Sequence, residues 1–367
     1  MTPEDKTLLS LVRMALKNSS PESEEPLGNP DWDKVMSVAN RHGLLAIAFD
    51  GLTAAGVQLD MRTRLKWIGM VSHNESRYGL YLHVIERLAA FYQAHGYRMM
   101  ILKGYDRSLD WPVPNHRPMG DIDIYILKAD GTCPKDLYKE ADQLLEKELG
   151  VVVDNTHHHH SVFHINGLMF ENHYDFLNQY AHKSNQTADR YLKAWATEGF
   201  SRRTLGRAEI LLPSPDLNAL FLLKHATAHF AAIDMNLRQL VDWLLFIQKR
   251  GHEVNWEKLR PVFDELNQTR ICGVLNTIGV RYFGFDASLF PMLEEDAALV
   301  DRVLEEILSP GFKEREKGTL RSALWVKPRR WWHNRWKNRL CYSDSLLSTF
   351  LHSFHAKLVK PDHFSGL

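Results

Sequence analysis

Cysteine is scarce in this 367-residue sequence, which has only Cys133, Cys272 and Cys341, far apart along the chain. An odd number at such spacing fits neither a disulfide framework nor a CxxC metal knuckle. The sequence therefore favours a protein of the reducing cytoplasm over a secreted, disulfide-stabilised one.

The sequence also has no excess charge of either sign, since 45 Lys and Arg residues balance 45 Asp and Glu residues. A neutral chain does not hold nucleic acid by bulk electrostatics, so any contact with a polyanion must be local. No apolar run approaches the roughly 20 residues of a membrane span. The amino-terminal MTPEDKTLLSLVRMALK carries acidic residues where a secretory peptide needs positive charge. We therefore expect neither a transmembrane segment nor export.

What is present is an ordinary globular composition, 44% hydrophobic and 25% charged. The chain is too long for one core, because single cores usually stop growing near about 250 residues. Helical periodicity fills residues 1–96, strand patterns characterise 97–212, and helical periodicity returns over 213–367. The sequence therefore predicts an α+β fold in which an α/β core is flanked by helical amino-terminal and carboxy-terminal regions.

The individual elements follow from the same patterns. In the core we expect one helix over 134–149, closed by Gly150, and strands over 97–102, 121–127, 151–155, 159–165 and 168–176, the last two joined by an Asn166-Gly167 turn. In the flanking regions we expect a loop over 17–31, a helix beginning after Asp31 with a break near Gly43, and further helices over 5–17, 75–95, 217–230, 237–249, 256–266, 271–283 and 297–308.

The segment ILKGYDRSLDWPVPNHRPMGDIDIYIL, residues 101–127, carries most of the recognisable chemistry. Asp121 and Asp123 lie two apart on a half-buried strand, so both side chains project from one wet face while the alternating isoleucines take the other. Two carboxylates on one face bind cations, and Mg²⁺ requires hard oxygen ligands and open positions for phosphate oxygens. The spacing therefore favours a metal site, the alternative being a chance DxD pair.

Two further positions fit a site for metal and phosphate. Lys103 and Gly104 directly follow a strand, where the glycine permits close backbone approach and the lysine supplies positive charge for a phosphate. Glu171 lies on a strand that the Asn166-Gly167 turn pairs with its neighbour, and it offers a third carboxylate.

The order of these motifs resembles the uncharacterised nucleotidyltransferase family of the polymerase-β-type superfamily. The shared features are an apolar strand, LKG, a loop ending in RPMGDIDI, a helix and a later strand containing Glu-x-His-aromatic. The resemblance covers roughly residues 31–245, including DWDKVMSVANRHGLLAIAFDGL before the motif and SPDLNALFLLKHATAHF with LRQLVDWL after it. It implies a polymerase-β-like nucleotidyltransferase core.

The resemblance also implies roles for individual residues. Asp121, Asp123 and Glu171 are the implied catalytic carboxylates and the ligands of two Mg²⁺ ions, while Lys103, Gly104, Arg117 and Gly120 are the implied nucleotide-binding residues. Where the superfamily typically holds the triphosphate with a Gly-Ser turn, this sequence has Gly104-Tyr105. For Arg117 two interpretations stay open, a charge at the phosphates or a pair with an aspartate.

The implied reaction is in-line displacement at the α-phosphate of a nucleoside triphosphate (NTP), which moves a nucleoside monophosphate to a small-molecule or protein acceptor. Two ions about 3.5–4 Å apart stabilise the attacking and leaving oxygens in such reactions. We expect Lys103 to contact the triphosphate rather than form an internal ion pair. We also expect loss of Asp121 or Asp123 to relieve repulsion, so that the metal-free protein stays as stable or becomes more stable.

Two alternatives to this enzyme remain. One is a catalytically idle nucleotide-binding or antitoxin-like partner protein, against which the three retained carboxylates argue. The other is an RNA-modifying nucleotidyltransferase recruited through the basic and aromatic segment KPRRWWHNRWKNR, Lys327 to Arg339. That mixture could stack bases or lie on an anionic membrane. We favour a carboxy-terminal helix whose tryptophans pack on the protein while its arginines reach solvent.

Two histidine groups have alternative interpretations. The run His157 to His160 is a transition-metal site or a solvated strand start, and we favour the strand start. His225 and His229 share a helix face at a spacing of four residues, which provides half a zinc site. No HExxH motif accompanies them, so we favour a structural or substrate-facing pair.

Overall fold

The computed structural model describes residues 1–16, 27–232, 235–312, 326, 329–345 and 349. Its helices are α1 Pro3–Ala15, α2 Trp32–Arg41, α3 Leu45–Ala54, α4 Met61–Ala94, α5 Tyr105–Ser108, α6 Leu137–Leu149, α7 Lys183–Glu198, α8 Pro215–Ala232, α9 Leu237–Arg250, α10 Trp256–Glu265, α11 Thr269–Phe283, α12 Ala297–Leu308 and α13 Arg335–Cys341. Its strands are β1 Tyr97–Ile101, β2 Ile122–Lys128, β3 His160–Ile165, β4 Leu168–His173, β5 Phe200–Leu205 and β6 Ala208–Pro213.

The chain forms two compact units that are discontinuous in sequence. The described residues of one unit fall within 1–73, 111–117 and 222–346, and those of the other fall within 74–110, 118–221 and 347–367. The division into 1–96, 97–212 and 213–367 that we predict from the sequence follows periodicity rather than contacts, and it stays a prediction. Among the described residues, no helix combines the length and apolar character that crossing a membrane requires.

The second unit is built on a six-stranded mixed sheet with the order β3-β4-β2-β1-β6-β5. Strand β2 is antiparallel to β1 and parallel to β4, and β4 returns from β3 through a hairpin. Asn166 and Gly167 at that turn both have positive φ, 51° and 75°, as a type I′ turn requires. The predicted hairpin is therefore confirmed.

One face of this sheet covers the core of the second unit. Ile122, Ile124 and Ile126 of β2 are at most 2% exposed and join a single apolar cluster. The same cluster contains the inner stripes of α4 and α6, on which Leu137, Ala141, Leu145, Val84, Ile85 and Leu88 are buried. The alternation in DIDIYIL thus correctly predicts which side chains enter the core, and burial of these apolar side chains stabilises the sheet against the two helices.

The first unit is a bundle of helices. Helix α1 packs against α2, α3 and α11, and α11 packs against α12 and α13. The close crossing of α1 and α3 depends on Gly51, because a Cβ there would lie 2.0 Å from the carbonyl oxygen of Leu11. Asp31 caps α2 by accepting a hydrogen bond from the Lys34 amide, and Gly43, at φ 68°, follows the end of this helix, as the sequence predicts.

Two sequence-based expectations for the core are wrong. Residues 151–155 do not form a strand, and only Asp154 makes an isolated bridge, with Val162. In addition, β2 is buried on both faces rather than half-buried, since every residue from Ile122 to Leu127 is buried. Strands β5 and β6 and helix α7 are elements for which we make no prediction from the sequence.

Candidate active site

The candidate site lies where β1 ends beside the start of β2. The Leu102 amide donates to the Asp123 carbonyl at 3.0 Å, which extends the pairing of these strands by one residue. The chain then turns at Gly104, whose φ of 59° and ψ of −98° strain any residue with a side chain. A Cβ at Gly104 would lie 3.6 Å from Met119 Cε and 3.8 Å from the Asp121 carbonyl oxygen. Glycine therefore brings Lys103 close to the aspartates.

Asp123 and Glu171 are direct neighbours on parallel strands. The register pairs Asp123 of β2 with Glu171 of β4, so their side chains project from the same face. Carboxylate oxygens of the two residues lie within 4.8 Å of each other. Asp121 precedes Asp123 by two residues and interacts electrostatically with both carboxylates. The structure thus places Asp123 and Glu171 on one sheet face, with Asp121 close enough to interact electrostatically with both.

Asp123 is buried and already paired with two cations. Its Oδ1 accepts a hydrogen bond from Lys103 Nζ at 2.8 Å and from His173 Nε2 at 2.9 Å, and its side chain is 1% exposed. Burial alone would raise the pKa of Asp123, but Lys103 and His173 hold it well below its usual range. Two expectations are therefore wrong: the carboxylate face is not wet at Asp123, and Lys103 does form an internal ion pair.

The surrounding charges explain the state of the other groups. Burial would lower the pKa of Lys103, but the charges of Asp123, Asp121 and Glu171 raise it, so Lys103 is an ammonium. Asp121 differs from its neighbour because the charge of Asp123, together with burial, raises its pKa and Lys103 only partly offsets this. Burial also opposes the charge of Glu171, yet His173 brings its pKa below the ordinary value.

This donor set fits a hard divalent cation. Three neighbouring carboxylates offer the oxygen ligands that Mg²⁺ prefers. The three carboxylates outnumber the two neighbouring cations, Lys103 and His173, and the charge of Asp123 together with burial raises the pKa of Asp121, so a divalent ion would relieve the remaining repulsion. The residues present are therefore chemically suited to the implied metal.

His173 is the site residue that we missed from the sequence. It lies two residues after Glu171 on β4, so it shares the face of the carboxylates, and its position in the Glu-x-His motif was the available signal. Nδ1 lies 3.1 Å from the Asp175 carbonyl oxygen and Nε2 lies 2.9 Å from Asp123, and both partners only accept. His173 is therefore an imidazolium, and its carboxylate contacts raise its pKa to about 9 despite burial.

The histidine run before β3 lies beside this cluster. His160 is paired with His173 in the β3–β4 register, and its ring centroid is 5.2 Å from that of His173. His159 packs edge-on against His160 with ring centroids 4.3 Å apart. The predicted solvated strand start is therefore wrong for His160, which is 7% exposed. The other pair, His225 and His229, forms an edge-to-face contact at 4.6 Å.

Arg117 and Gly120 precede the carboxylates. The Arg117 guanidinium holds the Asp242 carboxylate through two hydrogen bonds of 2.8 Å, and Trp111 donates to the same carboxylate. The contact with Asp242 agrees with the second of our two interpretations of Arg117, a pair with an aspartate. A role for Arg117 at the nucleotide stays a prediction. The Gly120 carbonyl accepts a hydrogen bond from the Tyr81 hydroxyl, which ties the loop before β2 to α4.

The basic and aromatic segment divides into packed and exposed parts. Trp336 packs edge-on against Phe230 at 5.7 Å, and the Arg302 guanidinium lies 3.9 Å from the centre of its indole. Trp332 is 61% exposed and stacks only with Arg335 among the described side chains. Packing is therefore confirmed for Trp336 but is wrong for Trp332. Lys327 lies outside the described residues.

A mixed sheet whose neighbouring strands carry Asp123 and Glu171, with Asp121 directly before the first of them and a lysine beside them, is the arrangement that the resemblance predicts for a nucleotidyltransferase core. A family model described as uncharacterised nucleotidyltransferase matches residues 28–284. The chain therefore belongs to this family, as the resemblance of its motifs predicts, and membership supports nucleotidyl-transferase activity. Searches of the curated proteins and of the solved structures each returned no match.

Proposed function

We propose that this protein is a Mg²⁺-dependent nucleotidyltransferase that moves a nucleoside monophosphate from an NTP to a hydroxyl of a small-molecule or protein acceptor. The observation that carries the proposal is the register of β2 and β4, which aligns Asp123 with Glu171, while Asp121 directly before β2 interacts electrostatically with both. A family match across residues 28–284 supports the reaction class. A cytoplasmic location is part of this proposal.

Each residue has a definite part in the proposed reaction. Asp121, Asp123 and Glu171 would hold the divalent metal, which supplies charge stabilisation for the attacking and leaving oxygens. Lys103 already points its ammonium at Asp123, so an arriving triphosphate competes with that carboxylate for the same cation. Gly104 lets the backbone approach the phosphates without a side chain in the way. The positive ring of His173 limits the negative charge of the site before metal and nucleotide arrive.

The test is a labelled-transfer assay with the full chain. Each NTP, labelled at the α-phosphate, is incubated with Mg²⁺ and a metabolite or protein extract, and pyrophosphate release and the fate of the label are followed. We expect transfer with the wild type, none with Asp121→Asn, and wild-type transfer with Asp130→Asn, an exposed carboxylate in the loop after β2. Nucleotide binding without transfer in the wild type would favour the idle nucleotide-binding protein.

The exposed indole of Trp332 makes RNA a second acceptor to examine. Trp332 and Arg335 present a stacked aromatic and cationic pair, which suits an unpaired base. Transfer of label to RNA that is lost in Trp332→Ala, together with salt-dependent binding, would establish the RNA-modifying alternative. Unchanged transfer to a small molecule or protein in that variant would exclude it.

A further inference from the structure

The histidines at the start of β3 have a property that the proposed reaction does not use. His160 is 7% exposed, yet within the described part of the chain its buried Nδ1 has no hydrogen-bond partner, and the same holds for Nδ1 of His159. Buried polar atoms are nearly always satisfied, so two adjacent unsatisfied nitrogens need an explanation. A bound metal ion satisfies such atoms directly, because a neutral imidazole nitrogen offers its lone pair as a ligand.

The distances around these nitrogens fit one ion. Ligand nitrogens of His159, His160 and His173 all lie within 4.8 Å of one another. Glu171 Oε2 is 3.7 Å from His160 Nδ1 and 3.6 Å from His173 Nε2. Two donors of one tetrahedral ion with bonds near 2.0–2.2 Å lie about 3.4 Å apart. Rotation of these side chains would therefore bring the three histidine nitrogens toward bonding distance, and Glu171 Oε2 is already near the separation that two ligands of one ion have from His160 and His173.

The surroundings of His173 also match a ligand. Its Nδ1 donates to the Asp175 carbonyl, and metal-binding histidines almost always donate their second ring nitrogen in this way, which fixes the ring. An ion on Nε2 would take the place of the proton that Nε2 now donates to Asp123. The strand register supplies the rest, because His160 and His173 are directly opposite each other on one face.

We propose that His159, His160 and His173, with one oxygen of Glu171, form a binding site for a transition-metal ion of the zinc type, adjoining the carboxylate site. The donor chemistry distinguishes the two sites, since imidazole nitrogens suit zinc and other transition metals, whereas an all-oxygen set suits Mg²⁺. This site does not depend on the proposed transfer reaction. Its ion would join the segment before β3 to strand β4.

The test uses the full chain, prepared without an added histidine tag and stripped of metal with a chelator. Co²⁺ serves as the probe because nitrogen-ligated tetrahedral Co²⁺ has intense visible absorption, and Zn²⁺ should displace it. We expect one Co²⁺ per chain and an affinity at least about 100-fold lower in His160→Ala, since losing a direct ligand costs at least as much as losing a second-shell partner. His160→Gln serves as the milder replacement if the alanine variant does not fold.

Two controls separate this site from other metal-binding groups. His164→Ala removes an exposed histidine on the same strand, and Asp121→Asn alters only the carboxylate site. Both should bind Co²⁺ as the wild type does. Absence of the visible spectrum, equal loss in His164→Ala, or a larger loss in Asp121→Asn than in His160→Ala would each overturn the proposal. Because the readout is metal binding, a failure of nucleotidyl transfer leaves it unaffected.

Discussion

At Asp123, one carboxylate oxygen accepts hydrogen bonds from two cations, whereas Asp121 two residues earlier has a raised pKa. This difference corrects the expectation that losing either aspartate is harmless to the fold. Asp121→Asn should leave stability unchanged or raise it by up to about 1 kcal/mol, because it removes a repelled charge. Asp123→Asn should cost about 3–5 kcal/mol, since Lys103 and His173 then lack their buried partner.

Urea denaturation of both variants at neutral pH without metal measures this difference. Mg²⁺ affinity should fall in both variants, which separates the metal role from the fold. Equal stability of Asp123→Asn and the wild type would show that the ion pairs of Asp123 contribute little.

Lys103 pairs with Asp123 in the free protein, and we propose that it contacts the triphosphate in the complex. Lys103→Met should raise the KM for NTP, or lower kcat if the phosphate contact tightens in the transition state. Lys128→Met is the matched control, because Lys128 lies at the end of β2 that is remote from the site. Unchanged NTP kinetics together with tighter Mg²⁺ binding would show that Lys103 only balances Asp123.

Asp142 predicts a pH dependence of stability. It is buried on α6, accepts a hydrogen bond from Asn172 at 2.9 Å, and burial raises its pKa to about 6. The folded state therefore binds the proton more tightly than the unfolded state, whose pKa is 3.8, so stability falls as pH rises between these values. Asp142→Asn should remove this loss, which is at most about 3 kcal/mol.

The measurement compares urea unfolding of Asp142→Asn and wild type at pH 4.5 and pH 8. The variant should gain stability relative to the wild type at pH 8, and the gain should shrink at pH 4.5. A difference independent of pH would mean that Asp142 does not titrate in this window.

At the scale of elements, the close crossing of α1 and α3 depends on the absence of a side chain at Gly51. Gly51→Ala should lower the free energy of unfolding by roughly 1–3 kcal/mol, because the new methyl meets the backbone of Leu11 rather than a movable side chain. Gly69→Ala on α4 is the control, since a Cβ there contacts nothing within 4 Å. That change should be neutral or stabilise by up to about 1 kcal/mol through helix propensity. Thermal unfolding of both variants decides the matter.

The elements also show how far periodicity can predict this fold. Strand β2 and the Asn166-Gly167 hairpin have strong local signals, and with them Asp123 and Glu171 could be placed on one face. Strand β5, FSRRTL, has none, because its residues are exposed or half-buried and its side chains do not alternate in polarity. It is a strand only because β6 pairs with it.

Contacts between particular side chains of the site likewise cannot be predicted from the sequence pattern. Alternation predicts which face of the sheet carries Asp123. It does not predict that Lys103 and His173 both contact one carboxylate oxygen of Asp123, because these contacts join three strand ends that are distant in sequence. For the same reason the polar run predicts a solvated His160, whereas the strand register places His160 opposite His173.

At the scale of the whole molecule, buried apolar side chains also occur outside the region that the family model matches. The match begins at residue 28, yet α1 before it buries Leu8, Leu9, Leu11 and Val12 almost completely. At roughly 2 kcal/mol for each such side chain, their burial is comparable to the net stability of a domain. Deleting residues 1–27 should therefore cause aggregation or a large fall in Tm, although the matched region is intact.

The control for this deletion is Lys6→Ala, which changes an exposed residue of α1 and should shift stability by no more than about 0.5 kcal/mol. Light scattering and a thermal melt report the result. A soluble deletion variant with the Tm of the wild type would show that α1 is dispensable.

The discontinuity of the helical unit has a consequence for protein synthesis. Its described residues fall within 1–73, 111–117 and 222–346, so the apolar faces of α1, α2 and α3 emerge from the ribosome long before α11, a partner of α1, has been made. All six strands of the sheet are complete by residue 213. In nascent chains stalled near residue 260, the sheet should therefore resist protease. Helices α1 to α3 should still be cleaved and should still bind chaperones.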